Sequence, residues 1–121
     1  MGNPFVWVEL HTGNLDAARA FYGALFDWQV TDVPLGASGG HYTMVDVGGG
    51  TGGGMMASPA PGVPPHWLAY VRVDDVTAAL ARAATLGAKV VQGRTEVPGF
   101  GWLGVITDPT GATLGLWQPK A

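Results

Sequence analysis

Apolar and polar positions alternate along Val6-Trp7-Val8-Glu9-Leu10-His11, the two-residue period of a strand with two unlike faces. The same period returns in His66-Trp67-Leu68-Ala69-Tyr70-Val71-Arg72-Val73. Each run leads to a helix start: Asn14 and Asp75 have side chains that accept bonds from the unpaired N–H groups of a first helical turn. Beyond them the spacing predicts helices over 15–26 and 76–86. In the first, Ala18, Phe21, Tyr22 and Leu25 form one apolar face; the second ends at Gly87, where a left-handed residue is wanted. Three shorter strands are expected after each helix, at 27–34, 41–47 and 52–57, then at 89–94, 102–107 and 113–118. Asp108-Pro109-Thr110-Gly111 supplies the turn before the last one, with proline second and glycine fourth.

These elements repeat. At an offset of 61 residues, Leu15-Asp16-Ala17-Ala18-Arg19-Ala20 falls on Val76-Thr77-Ala78-Ala79-Leu80-Ala81, and Leu25, Val30, Gly50 and Gly54 fall on Leu86, Val91, Gly111 and Gly115. The expected architecture is an α+β fold of two tandem βαβββ modules within one domain over 1–121. Module one spans 1–58 and module two 66–121. The segment 59–65, with four prolines in seven residues, is a stiff linker unsuited to a central strand.

Composition narrows the function classes. A length of 121 residues suits one domain, and 47% hydrophobic residues exclude intrinsic disorder despite 20 glycines. With no cysteine there is no disulfide framework and no thiol nucleophile. Net charge is −3, and the 6 Lys and Arg residues are scattered, which leaves no basic patch to grip nucleic acid. The opening residues lack a signal-peptide pattern, and no apolar run approaches the ~20 residues of a membrane span. A cytoplasmic protein without nucleic-acid or membrane partners is expected.

The chain resembles the vicinal oxygen chelate superfamily of glyoxalase I, bleomycin-resistance proteins and extradiol dioxygenases. The resemblance rests on Val8-Glu9-Leu10, Asn14-Leu15-Asp16-Ala17-Ala18, Phe21-Tyr22 and Leu25-Phe26-Asp27-Trp28 in the first half. In the second it rests on Tyr70-Val71-Arg72-Val73-Asp74-Asp75-Val76, Leu86-Gly87-Ala88-Lys89-Val90 and Asp108-Pro109-Thr110-Gly111-Ala112. It implies a mixed sheet curled into a cup, with helices outside and a ligand within. In metal-using members one ligand comes from the first strand and one from the last strand of each module. Those positions are Trp7, Gly54, Leu68 and Gly115, and none of these side chains offers a lone pair to a divalent cation. No metal and no cofactor are therefore expected. A relocated site built on Glu9 and His66, with His11 or Asp46, would be the exception.

Strand parity places Glu9, His66 and Tyr70 on the ligand side as candidate catalytic residues. Glu9 could be a general base or ligand acceptor, or simply pair with an arginine such as Arg72. His66 could exchange protons near neutral pH or lie at the surface, and Tyr70 could orient a ligand or merely pack. His11 and His41, beside turn residues, are expected to be solvated, and Trp28 and Trp67 to lie in the core. Trp7, Leu68, Phe100, Trp102 and Trp117 are the candidate ligand-binding residues, because an aromatic, largely apolar pocket suits a small planar molecule. The glycine run 48–54 lacks the lysine and following helix of a phosphate loop and is expected to be a turn. The expected function is capture of a small hydrophobic or aromatic molecule. The alternative is a metal-independent isomerase, lyase or cyclase using Glu9 with His66 or Tyr70; a metal-dependent glyoxalase or dioxygenase ranks third. A homodimer is expected.

Overall fold

The computed structural model describes residues 2–34, 40–58 and 62–120; residues 59–61 of the expected linker lie outside them. The elements are β1 (Phe5–Thr12), α1 (Leu15–Leu25), β2 (Gln29–Pro34), β3 (His41–Asp46), β4 (Gly53–Ala57), β5 (His66–Arg72), α2 (Val76–Thr85), β6 (Lys89–Val97), β7 (Gly101–Thr107) and β8 (Thr113–Pro119). Both helices start where the sequence marks them. The Asn14 side chain accepts from the Ala17 N–H at 3.0 Å and that of Asp75 from Ala78 at 3.1 Å, each satisfying an otherwise unpaired donor. Gly87 follows α2 with φ +96°, a conformation other residues rarely adopt.

The chain divides into two compact units, Trp7–Leu68 and Met1–Val6 with Ala69–Ala121. The opening residues group with the later half through one backbone bond and one side-chain bond. The Arg72 N–H donates to the Pro4 carbonyl at 2.9 Å, and the Asn3 amide donates to the Arg72 carbonyl at 2.9 Å. Strand order is β2-β3-β4-β1 in one half and β5-β8-β7-β6 in the other. In each, the innermost pair is parallel and the rest antiparallel.

The 61-residue repeat extends to hydrogen-bond register. Glu9 pairs with Gly54 and Leu10 with Met55; Tyr70 pairs with Gly115 and Val71 with Leu116. Met44 pairs with Gly54 as Val105 pairs with Gly115. Only the outer strands break the correspondence. β6 carries two register shifts against β7, between Val90 and Gln92 and between Gln92 and Thr95, where β2 runs against β3 without one.

Helix-side packing differs between the units. α2 buries Val76 and Leu80 against Ile106 and Leu116, with Leu114 beside them. Its close seat is set by Gly104, where a Cβ would lie 3.0 Å from the Leu80 methyl groups. Each such buried aliphatic side chain contributes about 1.5–3 kcal/mol. α1 buries none of its residues fully; Leu15, Ala18 and Tyr22 cover Leu10, Val45 and Met55. The apolar face expected on α1 is thus only half used. Phe21 and Leu25 are 58% and 57% exposed, because the sheet beneath is covered by Tyr22 and Trp28 instead. Among the described residues no helix is long and apolar enough to cross a membrane.

Candidate functional site

Alternation along β1 puts Val8 and Leu10 toward α1 and leaves Trp7, Glu9 and His11 on the other face. Pairing extends this face to Gly54 and Met56 of β4 and to Met44 of β3, with Tyr42 two residues before Met44. Here a hydrogen-bonded chain forms. The Trp7 indole N–H donates to Tyr42 Oη at 3.0 Å, and the Tyr42 hydroxyl donates to Glu9 Oε2 at 2.6 Å. Glu9 Oε1 lies 2.6 Å from His11 Nε2. Glu9 and His11 are only 8% and 7% exposed, so a carboxylate that would be costly to bury alone is held from both sides. Among the described residues no buried side-chain nitrogen or oxygen lacks a hydrogen-bond partner.

His11 departs from expectation. It is buried and bonded to Glu9 rather than solvated, because β1 runs on to Thr12 and keeps residues 9 and 11 on one face. Tyr42 was not singled out in the sequence. Glu9 bonds to His11 and Tyr42 here. His66 stands beside this group: its ring meets that of His11 edge-on at 5.0 Å between centroids. His66 Nδ1 lies 2.9 Å from the Pro64 carbonyl. A carbonyl only accepts, so Nδ1 carries the proton in that bond and the neutral ring keeps its lone pair on Nε2. His41 is exposed at the start of β3.

Glycine opens the space that Tyr42 fills. A Cβ at Gly54 would collide with the Tyr42 ring and hydroxyl. In the second unit a Cβ at Gly115 would strike the ring of its own pairing partner Tyr70, which is itself buried. Leu68 is buried, and Trp117 shares its strand face with Gly115 and, through pairing, with Leu103. Trp102 lies on the opposite face of β7 from Leu103, the face of Gly104 and Ile106 that meets α2. The Arg94 guanidinium covers its ring at 4.9 Å, so it does not join Trp117. Phe100 is exposed in the turn closed by its N–H bond to the Val97 carbonyl.

Two carboxylates elsewhere in the fold are held low by their neighbours. Asp32 is held below the ordinary carboxylate range by the Arg19 guanidinium, with help from the Thr43 hydroxyl. Asp108 is held low by the Thr110 hydroxyl and then by the N–H groups of Ala112 and Thr110.

Residues 5–116 match the family model described as the Glyoxalase/Bleomycin resistance protein/Dioxygenase superfamily. The chain belongs to this superfamily. It is 39% identical over 115 residues to the putative glyoxylase CFP32 of Mycobacterium tuberculosis, covering 93% of this chain and 44% of that protein. It is 28% identical over 130 residues to the anthracycline biosynthesis protein DnrV of Streptomyces peucetius, covering 93% and 46%. The chain thus spans less than half the length of these curated relatives. In fold it is similar to methylmalonyl-CoA epimerase from Mycobacterium tuberculosis, with TM-score 0.70, 17% identity and coverage of 97% and 88%.

The metal-ligand positions implied by the resemblance fall on Trp7, Gly54, Leu68 and Gly115. The residues present do not fit a divalent cation. Indole, aliphatic and hydrogen side chains give it no donor, tyrosine rings occupy the space over both glycines, and no buried polar atom among the described residues waits for a partner. The sites considered for a relocated ion fare no better: among the described residues no group of three or more His, Asp or Glu is arranged to hold one.

Proposed function

We propose that this chain is a metal-independent member of the superfamily. It binds a small hydrophobic or aromatic molecule against the face of Trp7, Tyr42, Met44 and Met56. Tyr42 carries the reading. Its ring takes the space above Gly54 and its hydroxyl links Trp7 to Glu9, which turns a ligand-sphere position into part of an aromatic wall. Such a wall recognises flat apolar surfaces by stacking and buries them from water. The Glu9–His11 pair gives that wall one polar anchor for a ligand donor group. Tyr70, over Gly115, gives the second module an aromatic face of its own with Trp117.

The test is a titration of 15N-labelled protein with 2-naphthol, a planar probe with one donor. The expected result is a saturable shift of the Trp7 indole resonance, assigned through Trp7→Phe, that weakens in Tyr42→Ala. A Trp7 resonance that does not move refutes the binding site.

One observation favours a second reading, acid–base catalysis. The Glu9 carboxylate sits 2.6 Å from both a phenol and an imidazole. Glu9 would take a proton from a bound carbon or oxygen acid, and Tyr42 or His11 would return one elsewhere on the same molecule, a net isomerisation. Tyr42 and His11 join His66 and Tyr70 as candidate partners of Glu9, because both are bonded to it. Glu9→Gln then abolishes turnover of a substrate while leaving its binding intact, whereas a pure binding protein shows no turnover to lose. The protein is also proposed to act as a homodimer in the cytoplasm without nucleic-acid or membrane partners. A light-scattering mass of one chain at micromolar concentration contradicts the dimer.

A further inference from the structure

The two modules are not equally filled on their helix sides. In the second, Leu114 packs beside Ile106 and the α2 residues Val76 and Leu80. At the 61-residue offset the counterpart of Leu114 is Gly53, which pairs with Val8. A Cβ there would run into the Val8 carbonyl oxygen, so the backbone approach itself forbids a side chain. The volume that leucine fills in one module is left open in the other. It forms a pocket of about 260 Å³ bounded by Val8, Trp28, Val45, Val47, Gly53 and Trp67. All of these residues belong to the unit Trp7–Leu68.

The walls are fixed before anything binds. Trp28 stacks on Tyr22 at 5.7 Å and 24°, and Trp67 stands nearly perpendicular to Trp28 at 6.2 Å and 80°. The Trp67 indole N–H is tied to the Tyr22 hydroxyl at 3.3 Å, so its edge is held although the residue is 39% exposed. Of the two tryptophans expected in the core, Trp28 does pack against Leu10, Val45 and Met55, and it flanks an opening together with the more exposed Trp67. No charged residue lines the pocket, which gives an ionic ligand no partner for its charge. The size lies below the ~300–1,000 Å³ of drug-sized sites, too small for a helix or strand of another protein and suited to one or two rings.

We infer that this pocket is a second binding site, on the helix side of the first module, for a small uncharged planar aromatic molecule. It is distinct from the face of Trp7 and Glu9. Its occupant stacks against Trp28 and Trp67 and fills the volume taken by Leu114 in the other module.

The experiment is a toluene titration of the intact chain labelled with 15N at its five tryptophan indoles. The expected result is a saturable shift at Trp28 and Trp67, half-complete below about 1 mM. Val47→Phe, which fills the pocket from one wall, weakens that response at least tenfold. A thermal melt of Val47→Phe guards against simple unfolding, and Trp67→Ala, which removes an exposed wall, weakens the response by the same order if the packing variant fails to fold. Shifts confined to Trp7 or Trp117, or linear without saturation, overturn the proposal. So do Trp28 and Trp67 shifts that follow protein concentration and not toluene, which identify the patch as a self-association surface. The 2-naphthol titration reads Trp7 separately, so either site can fail without the other.

Discussion

Gly54→Ala adds a single methyl group at the point where the Tyr42 ring crosses β4, and the consequences can be followed residue by residue. The strand backbone at Gly54 has no left-handed conformation to protect, so alanine by itself is no strain and is favoured over glycine in a strand by about 0.5–1 kcal/mol. The methyl group does collide with the Tyr42 ring. The ring must swing away, which breaks its bond to Glu9 and the bond it accepts from Trp7. Losing a hydrogen bond to a carboxylate costs about 1.5–3 kcal/mol, and crowding a packed contact about 1–3 kcal/mol. After the strand preference is subtracted, the net loss is about 1.5–5.5 kcal/mol, a large share of a domain's usual ~5–15 kcal/mol. Urea denaturation of Gly54→Ala, Tyr42→Ala and the double variant measures it. With the ring already gone, the methyl group has nothing to strike, so Gly54→Ala in the Tyr42→Ala background is neutral or slightly stabilising. A coupling of about 2–6 kcal/mol between the two positions is expected. Equal effects of Gly54→Ala in both backgrounds would refute the placement of Tyr42 and with it the filled ligand position.

The remaining expectations probe other links. Glu9→Gln sets an amide N–H₂ against either the Tyr42 hydroxyl or His11 Nε2, two groups that bond to Glu9 now; it lowers stability by about 1–3 kcal/mol in thermal melts, and an unchanged melt contradicts the network. Thr110→Val removes the largest influence holding the Asp108 carboxyl low, so its titration, followed by 13C NMR, moves up toward the ordinary ~3.9. Because a depressed carboxylate stabilises above its unfolded pKa and loses that contribution as pH falls through its folded one, the variant also shows a weaker acid dependence of stability below about pH 4. Asn14→Ala and Asp75→Ala each cost about 1 kcal/mol in denaturant unfolding, and a silent substitution at either position removes the cap.

Much of the architecture was written in local pattern. Strand alternation, the two cap residues and the 61-residue offset led to the ten elements found among the described residues, and the offset recurs in the pairing of Glu9 with Gly54 and Tyr70 with Gly115. The bulges of β6 were not legible, since Gln92-Gly93-Arg94 gives no local sign of how β7 will shift against it. For the site, the resemblance marked the four ligand positions, and residue type then gave the lack of donors at them. His11 could have been read too: it shares parity with Glu9, but nearness to Gly13 argued for solvent when the strand in fact continues to Thr12. Tyr42 was out of reach, because its approach to Glu9 depends on the register of β3 against β4 and on the length of the turn that joins them. Trp102 went astray for a related reason: β7 begins at Gly101, and only the pairing across to β8 decides which face its indole takes.

The central claim is that tyrosine and donorless residues have replaced the metal site. Equilibrium dialysis of the purified protein against zinc, nickel, manganese and ferrous ions, with metal per chain read by mass spectrometry, tests it most directly. Substoichiometric binding that Tyr42→Ala does not change is the predicted result. One equivalent of any of these ions retained per chain contradicts the claim.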